Sequence, residues 1–231
     1  MSGLELGAAR TGILAKIAAY NSTLTCLHLS RKTIEDTAGV ELARILFTNK
    51  TLRKLELEFN KLGPLTAKEF GKALEINTTL RFLDLESNQL TQEGEDPSGI
   101  QRHFIPALKR NKHLLSLNLG NNKLDEMIGK DCDEMLDHNF TLIDFEFGFN
   151  GFSIPQIRSI QDKLRRNNKI YEANRLREWK ERKSMLAEDQ ALTSMYLTEQ
   201  TKKEQDRMEE ENKEHREREI DAMWKKYTEE Q

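Results

Sequence analysis

The chain has 231 residues, 37% apolar and 32% charged, with 36 Lys and Arg against 39 Asp and Glu, for a net charge of -3. No basic excess exists to release counterions from a polyanion, which argues against nucleic acid as a partner. The charge is unevenly spread: residues 1–167 hold 22 basic and 22 acidic side chains, whereas 31 of the last 64 residues are charged. A core-building region followed by a solvated rod is the expected organisation.

The first residues, MSGLELGAARTG, have no basic segment followed by an apolar run and no glycine directly after Met1. Neither a secretory signal nor a myristoylation site is expected there. Residues 1–20 are read as a capping helix. No apolar stretch reaches membrane-spanning length. The two cysteines, Cys26 and Cys132, lie far apart in no metal-like spacing, which suits reduced thiols in a cytosolic protein.

From Asn21 the chain repeats itself. The segments NSTLTCLHLSRKTI, NKTLRKLELEFNKL, NTTLRFLDLESNQL, NKHLLSLNLGNNKL and NFTLIDFEFGFNGF begin at Asn21, Asn49, Asn77, Asn111 and Asn139. Each fits L-x-x-L-x-L-x-x-N-x-L with small substitutions, at a period of 28 residues that lengthens to 34 once, in TQEGEDPSG after Leu90. Leu52, Leu55, Leu57 and Leu62, with their equivalents, are assigned to a stacked core that no single repeat could bury alone. In the fifth repeat Phe145, Phe147 and Phe152 replace leucines, and Phe149 falls between them. Asn60, Asn88, Asn122 and Asn150 are expected to be buried amides bonding backbone in the turn; Lys32 holds that place in the first repeat. After each strand comes a helical pattern such as Ala67, Phe70, Ala73 and Leu74. The Asn closing each helix is expected to cap it in the left-handed conformation. This explains why Asn21, Asn49, Asn77 and Asn139 match a glycosylation pattern without needing a glycan.

A strand-plus-helix unit of this length resembles the ribonuclease-inhibitor class of leucine-rich repeats, over roughly residues 12–167. The resemblance implies an α/β solenoid with parallel inner strands, outer helices and a concave face, and a protein that binds proteins. Five repeats are assigned to residues 21–167.

With strands at 53–58 and their equivalents, alternate residues leave the sheet on its concave side. Three rows align: His28, Glu56, Asp84, Asn118, Glu146; then Ser30, Glu58, Glu86, Gly120, Gly148; then Cys26, Lys54, Phe82, Ser116, Asp144. Carboxylates side by side on strands about 4.8 Å apart are destabilising unless something relieves them. The candidate site is therefore an acidic strip for a basic segment of a partner, with Phe82 as an apolar anchor. Its residues are His28, Lys54, Glu56, Glu58, Phe82, Asp84, Glu86, Asn118, Asp144 and Glu146. The acidic insert Gln92–Pro97 is read as a tolerated loop that could extend this surface.

Residues 168–231 contain no Gly or Pro and are rich in strong helix formers. A continuous helix there would be about 96 Å long. Acid-before-base pairs four apart, such as Glu199 with Lys203, support it. Two apolar patches interrupt the charge. The first begins at Ile170 and Tyr171, expected to close the solenoid, and includes Trp179, Leu186 and Tyr196. The second is Ile220, Met223, Trp224 and Tyr227. Both are candidate docking points. No heptad seam runs through the tail, which argues against a homodimeric coiled coil.

There is no phosphate-cradling loop and no zinc spacing, so no cofactor, metal or catalytic activity is expected. Cys26 and His28 share a strand face, but on an open surface. The layout is similar to cytoskeletal leucine-rich-repeat proteins, including those of cilia and flagella. That similarity implies a non-catalytic scaffold in a cytoskeletal assembly, with the axoneme as the expected setting. Two alternatives follow from the family: a small-GTPase regulator resembling the Ran activator, and an actin-filament cap resembling tropomodulin.

Overall fold

The computed structural model describes the backbone of residues 6–229 and side chains of residues 6–211 and Lys213. It forms two compact units, Met1–Ala173 and Asn174–Gln231.

In the first unit helix α1 (Ala8–Tyr20) is followed by alternating strands and helices: β1 (Cys26–His28), α2 (Asp36–Thr48), β2 (Lys54–Glu56), α3 (Pro64–Ile76), β3 (Phe82–Asp84), α4 (Ile105–Arg110), β4 (Ser116–Asn118), α5 (Glu126–Leu136) and β5 (Asp144–Glu146). Helix α6 (Ile154–Glu229) begins in the fifth repeat. The strands form one parallel sheet in chain order, β1-β2-β3-β4-β5. Leu52, Leu55, Leu57 and Leu62 are fully buried, and so are Leu80, Leu83, Leu85 and Leu90 one repeat on. Burying such a side chain contributes about 1.5–3 kcal/mol. Phe147 packs against Phe145 and Phe152 with ring centroids 5.2 and 5.4 Å away.

The strands are shorter than 53–58 and its equivalents, but pairing outlasts them. Leu57 N–H donates to Asp84 O at 2.9 Å and Phe59 N–H to Glu86 O at 2.9 Å, and the other neighbouring repeats do likewise. Glu58 and Glu86 are thus held in line with the sheet although they lie outside its regular strands. The next residue turns the chain with positive φ in every repeat: Arg31, Phe59, Ser87, Asn121 and Phe149. That conformation strains a residue with a Cβ. In repeats two to five the following residue is Asn, whose amide ties its own turn to the one before. Asn60 Oδ1 accepts from Lys32 and Ile34 N–H of the preceding repeat, each at 3.0 Å, while its Nδ2 donates to Leu29 and Leu57 O at 2.9 Å. Asn150 repeats the pattern.

The second asparagine series works differently from the expectation. Asn49, Asn77 and Asn111 end their helices in extended backbone, at φ -66, -76 and -66°, not in the left-handed region. Their side chains make the caps instead. Asn49 Oδ1 accepts from Thr51 and Leu52 N–H at 2.8 and 2.6 Å, and its Nδ2 reaches back to Ala18 O at 2.8 Å. Each such amide starts its own strand segment and satisfies the carbonyl end of the preceding helix, one of the groups a helix leaves unpaired. Helix starts are also tied across repeats: Asp36 in α2 accepts from Gly63, Leu65 and Thr66 N–H at the start of α3.

The stretched third repeat folds as an exposed 3₁₀ turn (Gln92–Gly94) and a π-helical segment (Ile100–Phe104) leading into α4. Pro106, one residue into α4, has no N–H to bond the carbonyl four residues back, and Ile105 N–H bonds Ile100 O, five back. The insertion interrupts the asparagine ladder: Asn122 Oδ1 is buried without a hydrogen-bond partner among the described residues. Thr91 Oγ1 instead donates to Asn122 O at 3.1 Å.

The long helix begins fourteen residues before the boundary read at 168, because the helix of repeat five and the tail share one uninterrupted run of helix formers. Its first turns complete the solenoid. Ile160 is fully buried, and Ile157 and Leu164 pack on the core. Lys163 pairs with Asp133 and Asp137 at 3.0 and 2.7 Å, and Arg166 donates to Leu136 O at 2.6 Å. The closing role expected of Ile170 thus falls to residues upstream of it; Ile170 is 39% exposed. No described helix is long and apolar enough to cross a membrane.

Candidate protein-binding face

The strand register joins Cys26, Lys54, Phe82, Ser116 and Asp144 in one row, and His28, Glu56, Asp84, Asn118 and Glu146 in another. Between them Leu55, Leu83, Leu117 and Phe145 turn into the core. The two rows therefore stand on the sheet face away from the core, as the period-two alternation requires.

The acidic residues on this face are not equivalent. Glu56 is neutralised within the fold: its carboxylate meets His28 Nδ1 from β1 and Lys54 Nζ from its own strand. The repulsion expected between Glu56 and Asp84 is relieved there. Asp144 accepts from Ser116 Oγ at 2.7 Å, and Asp144 and Glu146 are exposed.

Glu58, Asp84 and Glu86 have no cation among the described residues. Asp84 Oδ1 accepts from Glu86 N–H at 3.0 Å, and Asn118 Nδ2 reaches both Asp84 Oδ2 at 3.3 Å and Glu86 Oε2 at 3.1 Å. Asn118 Oδ1 is fixed in turn by Gly120 N–H at 3.0 Å. These neutral donors do not balance the charge. Burial pushes the Asp84 carboxyl above its ordinary range, and the neighbouring Glu58 and Glu86 charges push the same way; the bonds from Glu86 N–H and Asn118 pull it down without prevailing. Glu58 Oε2 is shielded from solvent and has no hydrogen-bond partner among the described residues. Gly120 and Gly148 follow Glu58 and Glu86 in their row; Gly120 is buried, with Glu86 Cγ 3.5 Å from where its Cβ would stand, and Gly148 is exposed. A Cβ on Gly120 would press on Asn118 Oδ1 at 3.2 Å.

Aromatic rings edge the acidic patch. Phe82 is 43% exposed. Two more rings stand at the positive-φ turns, Phe59 with Arg31 3.9 Å from its ring centroid, and Phe149, 90% exposed. Repeat alignment places both in one column with Arg31, Ser87 and Asn121. Strand alternation alone leaves that column out of the face.

Of the tail residues, Trp179, Leu186 and Tyr196 are exposed within the second unit, with Lys183 Nζ 5.2 Å from the Trp179 ring centroid. Glu199 and Lys203 pair at 2.9 Å, as their spacing predicted. Ile220, Met223, Trp224 and Tyr227 lie outside the described side chains. No group of three or more His, Cys, Asp or Glu among the described residues is arranged to hold a metal ion.

A leucine-rich-repeat family model matches residues 48–70 and 77–94. No curated protein shows significant sequence similarity to the chain. Among solved structures, the leiomodin-1 actin-binding site 2 superposes with a TM-score of 0.63 at 19% identity, covering 74% of this chain and 95% of that one. The tropomodulin C-terminal domain of Caenorhabditis elegans superposes with a TM-score of 0.60 at 16% identity, covering 74% of this chain and 99% of that one. At such identities the likeness is one of fold. The five repeated units and the parallel sheet they build give this chain a leucine-rich-repeat fold, and the matched family model falls on the second and third of those units.

Proposed function

We propose that the chain is a non-catalytic protein-binding scaffold of the cytoskeleton, and that the open face of its sheet receives a basic segment of its partner. The observation that carries this reading is the group Glu58, Asp84 and Glu86, three carboxylates brought together without a cation among the described residues and edged by exposed Phe59 and Phe82. A Lys or Arg from a partner would supply the missing charge in a partly desolvated place, where such a pair gains most in specificity. The rings would add apolar contact, the usual arrangement of a binding hot spot.

Actin is the first partner to test, because one structural neighbour is an actin-binding site. Placement in a cilium or flagellum rests on layout alone. Full-length protein is co-sedimented with actin filaments and added to filaments elongating from their pointed ends, beside a Glu58→Lys/Glu86→Lys variant. The wild type is expected to bind filaments or slow their growth, and the variant to bind at least about tenfold more weakly, one lost charge-assisted contact being worth about 1.4 kcal/mol or more. Absence of any actin binding would remove actin as the partner. Undiminished binding by the variant would remove the acidic face as the site.

A further inference from the structure

At the β1 edge of the sheet the same open face carries a second constellation, separate from the acidic trio. Cys26 Sγ lies 3.1 Å from His28 Nε2. The other ring nitrogen, His28 Nδ1, meets the Glu56 carboxylate from the adjacent strand. Glu56 accepts only, so Nδ1 carries the hydrogen and Nε2 presents its lone pair to the thiol. A nucleophile, a base and a carboxylate that orients the base stand in line across two strands. Lys54, level with Cys26 on β2, also meets Glu56 and adds a cation to the group. Cys26 is partly accessible, whereas Cys132 is wholly buried and burial pushes its thiol far above the ordinary range.

We propose that Cys26 is a covalent modification site for low-molecular-weight disulfides, with His28 as the base and Glu56 as its positioning residue. The proton on Sγ passes to His28 Nε2. Sulfur then attacks one sulfur of the disulfide RS–SR; the new S–S bond forms as the old one breaks, and the leaving RS⁻ takes the electron pair and then the proton from the imidazolium. Cys–SH and RSSR become Cys–SSR and RSH, with no outside oxidant. The site faces open water, so it performs exchange at one thiol and encloses no substrate. A mixed disulfide there would stand beside His28, Glu56 and Lys54, at one end of the face proposed to bind a partner. The chemistry of Cys26 is independent of that reading and survives its failure.

The test is exchange of the folded full-length chain with glutathione disulfide, followed by intact mass and peptide mapping between pH 6 and 9. One equivalent is expected, at Cys26, with Cys132 labelled only after denaturation. His28→Asn is expected to slow exchange about tenfold at pH 7, a small share of what a positioned base contributes in an enclosed site. It should also change the shape of the pH–rate profile, which a merely structural residue would not do. Glu56→Gln is expected to slow it less, and Glu56→Asp to restore part of the rate. Circular dichroism confirms that each variant is folded; should His28→Asn unfold, His28→Gln serves in its place. Equal rates and superimposable pH profiles for wild type and the His28 variant would overturn the proposal, as would labelling of Cys132 in preference to Cys26.

Discussion

Gly71 sits in the middle of α3, where intrinsic propensity alone favours Ala over Gly by about 0.8–1 kcal/mol. The structure predicts the opposite sign. A Cβ on Gly71 would lie 2.6 Å from the His103 carbonyl carbon, 2.7 Å from its oxygen and 2.8 Å from Phe104 N. All three are backbone atoms of the π-helical segment, and ordinary contact begins at 3.4 Å. Relief requires α3 and that segment to part, opening the core around Phe70 and Phe104, both fully buried. Overpacking of this kind costs about 1–3 kcal/mol, and the strain here belongs at the upper end because no flexible side chain can yield. Subtracting the propensity gain leaves Gly71→Ala destabilised by about 1–2 kcal/mol. For a unit of this size that lowers Tm by about 2–8 °C. Gly12→Ala in α1 is the control: nothing lies within 4 Å of its Cβ position. It should gain about 0.5–1 kcal/mol. Both are measured by thermal and urea unfolding of the full chain. A Gly71→Ala protein as stable as wild type, or more so, would refute the close approach of the two segments.

Asp84→Asn should separate stability from binding. The folded value of Asp84 lies above its ordinary 3.8, so between the two the folded chain holds a proton that the unfolded chain has lost. Stability therefore rises as pH falls through the folded value toward 3.8, and the charge is a burden above it. Asp84→Asn should hold or raise Tm at pH 7, flatten that acid-side gain and weaken partner capture; a Tm several degrees lower would show that the carboxylate stabilises the sheet. Asn60→Ala removes an amide whose oxygen and nitrogen are both paired with buried backbone, and urea unfolding should show a loss of about 3–4 kcal/mol. Asn122→Ala should cost about 1 kcal/mol less, its oxygen being unpaired already; equal losses would count against the broken ladder.

The repeat register is legible because aligning the repeats, 28 residues apart and once 34, assigns every strand residue to a row without any knowledge of side-chain direction. The cross-strand pairs of the sheet, from Cys26 with Lys54 to Asn118 with Glu146, follow from counting alone. What counting does not supply is reach. Glu56 and Asp84 hold the same place in the repeat, but Lys54 and His28 close on Glu56, whereas Phe82 stands where Lys54 would and no described cation pairs with Asp84. The asparagine caps depart from the left-handed expectation for a related reason. Asn at a helix end suits a left-handed turn, but its amide also spans to the neighbouring repeat, and only stacking reveals that neighbour. The π-helical segment depends on the close approach of α3 and the insert, for which Gly71, Gly99 (a Cβ there would lie 2.2 Å from Pro64 O of α3) and Pro106 are the local signs. Phe59 and Phe149 are hidden by strand alternation, since the turn that follows each strand shifts the phase.

The two polar ladders of the solenoid share one period and differ in outcome, and the difference bears on function. Inside, the amides of Asn60, Asn88 and Asn150 find backbone partners on both sides, so the fold itself accounts for them. Outside, Glu58, Asp84 and Glu86 are set in place by backbone pairing that extends past the strands and by Asn118, with no cation paired to them among the described residues. A surface carboxylate with no structural task can turn into solvent at little cost. Asp84 is held back from that by its burial and its bonds to Glu86 N–H and Asn118, and one oxygen of Glu58 is shielded from solvent. Burial and two neighbouring carboxylates thus hold the Asp84 carboxyl above its ordinary range, and the binding face proposed above centres there because a cation beside it would act against both causes.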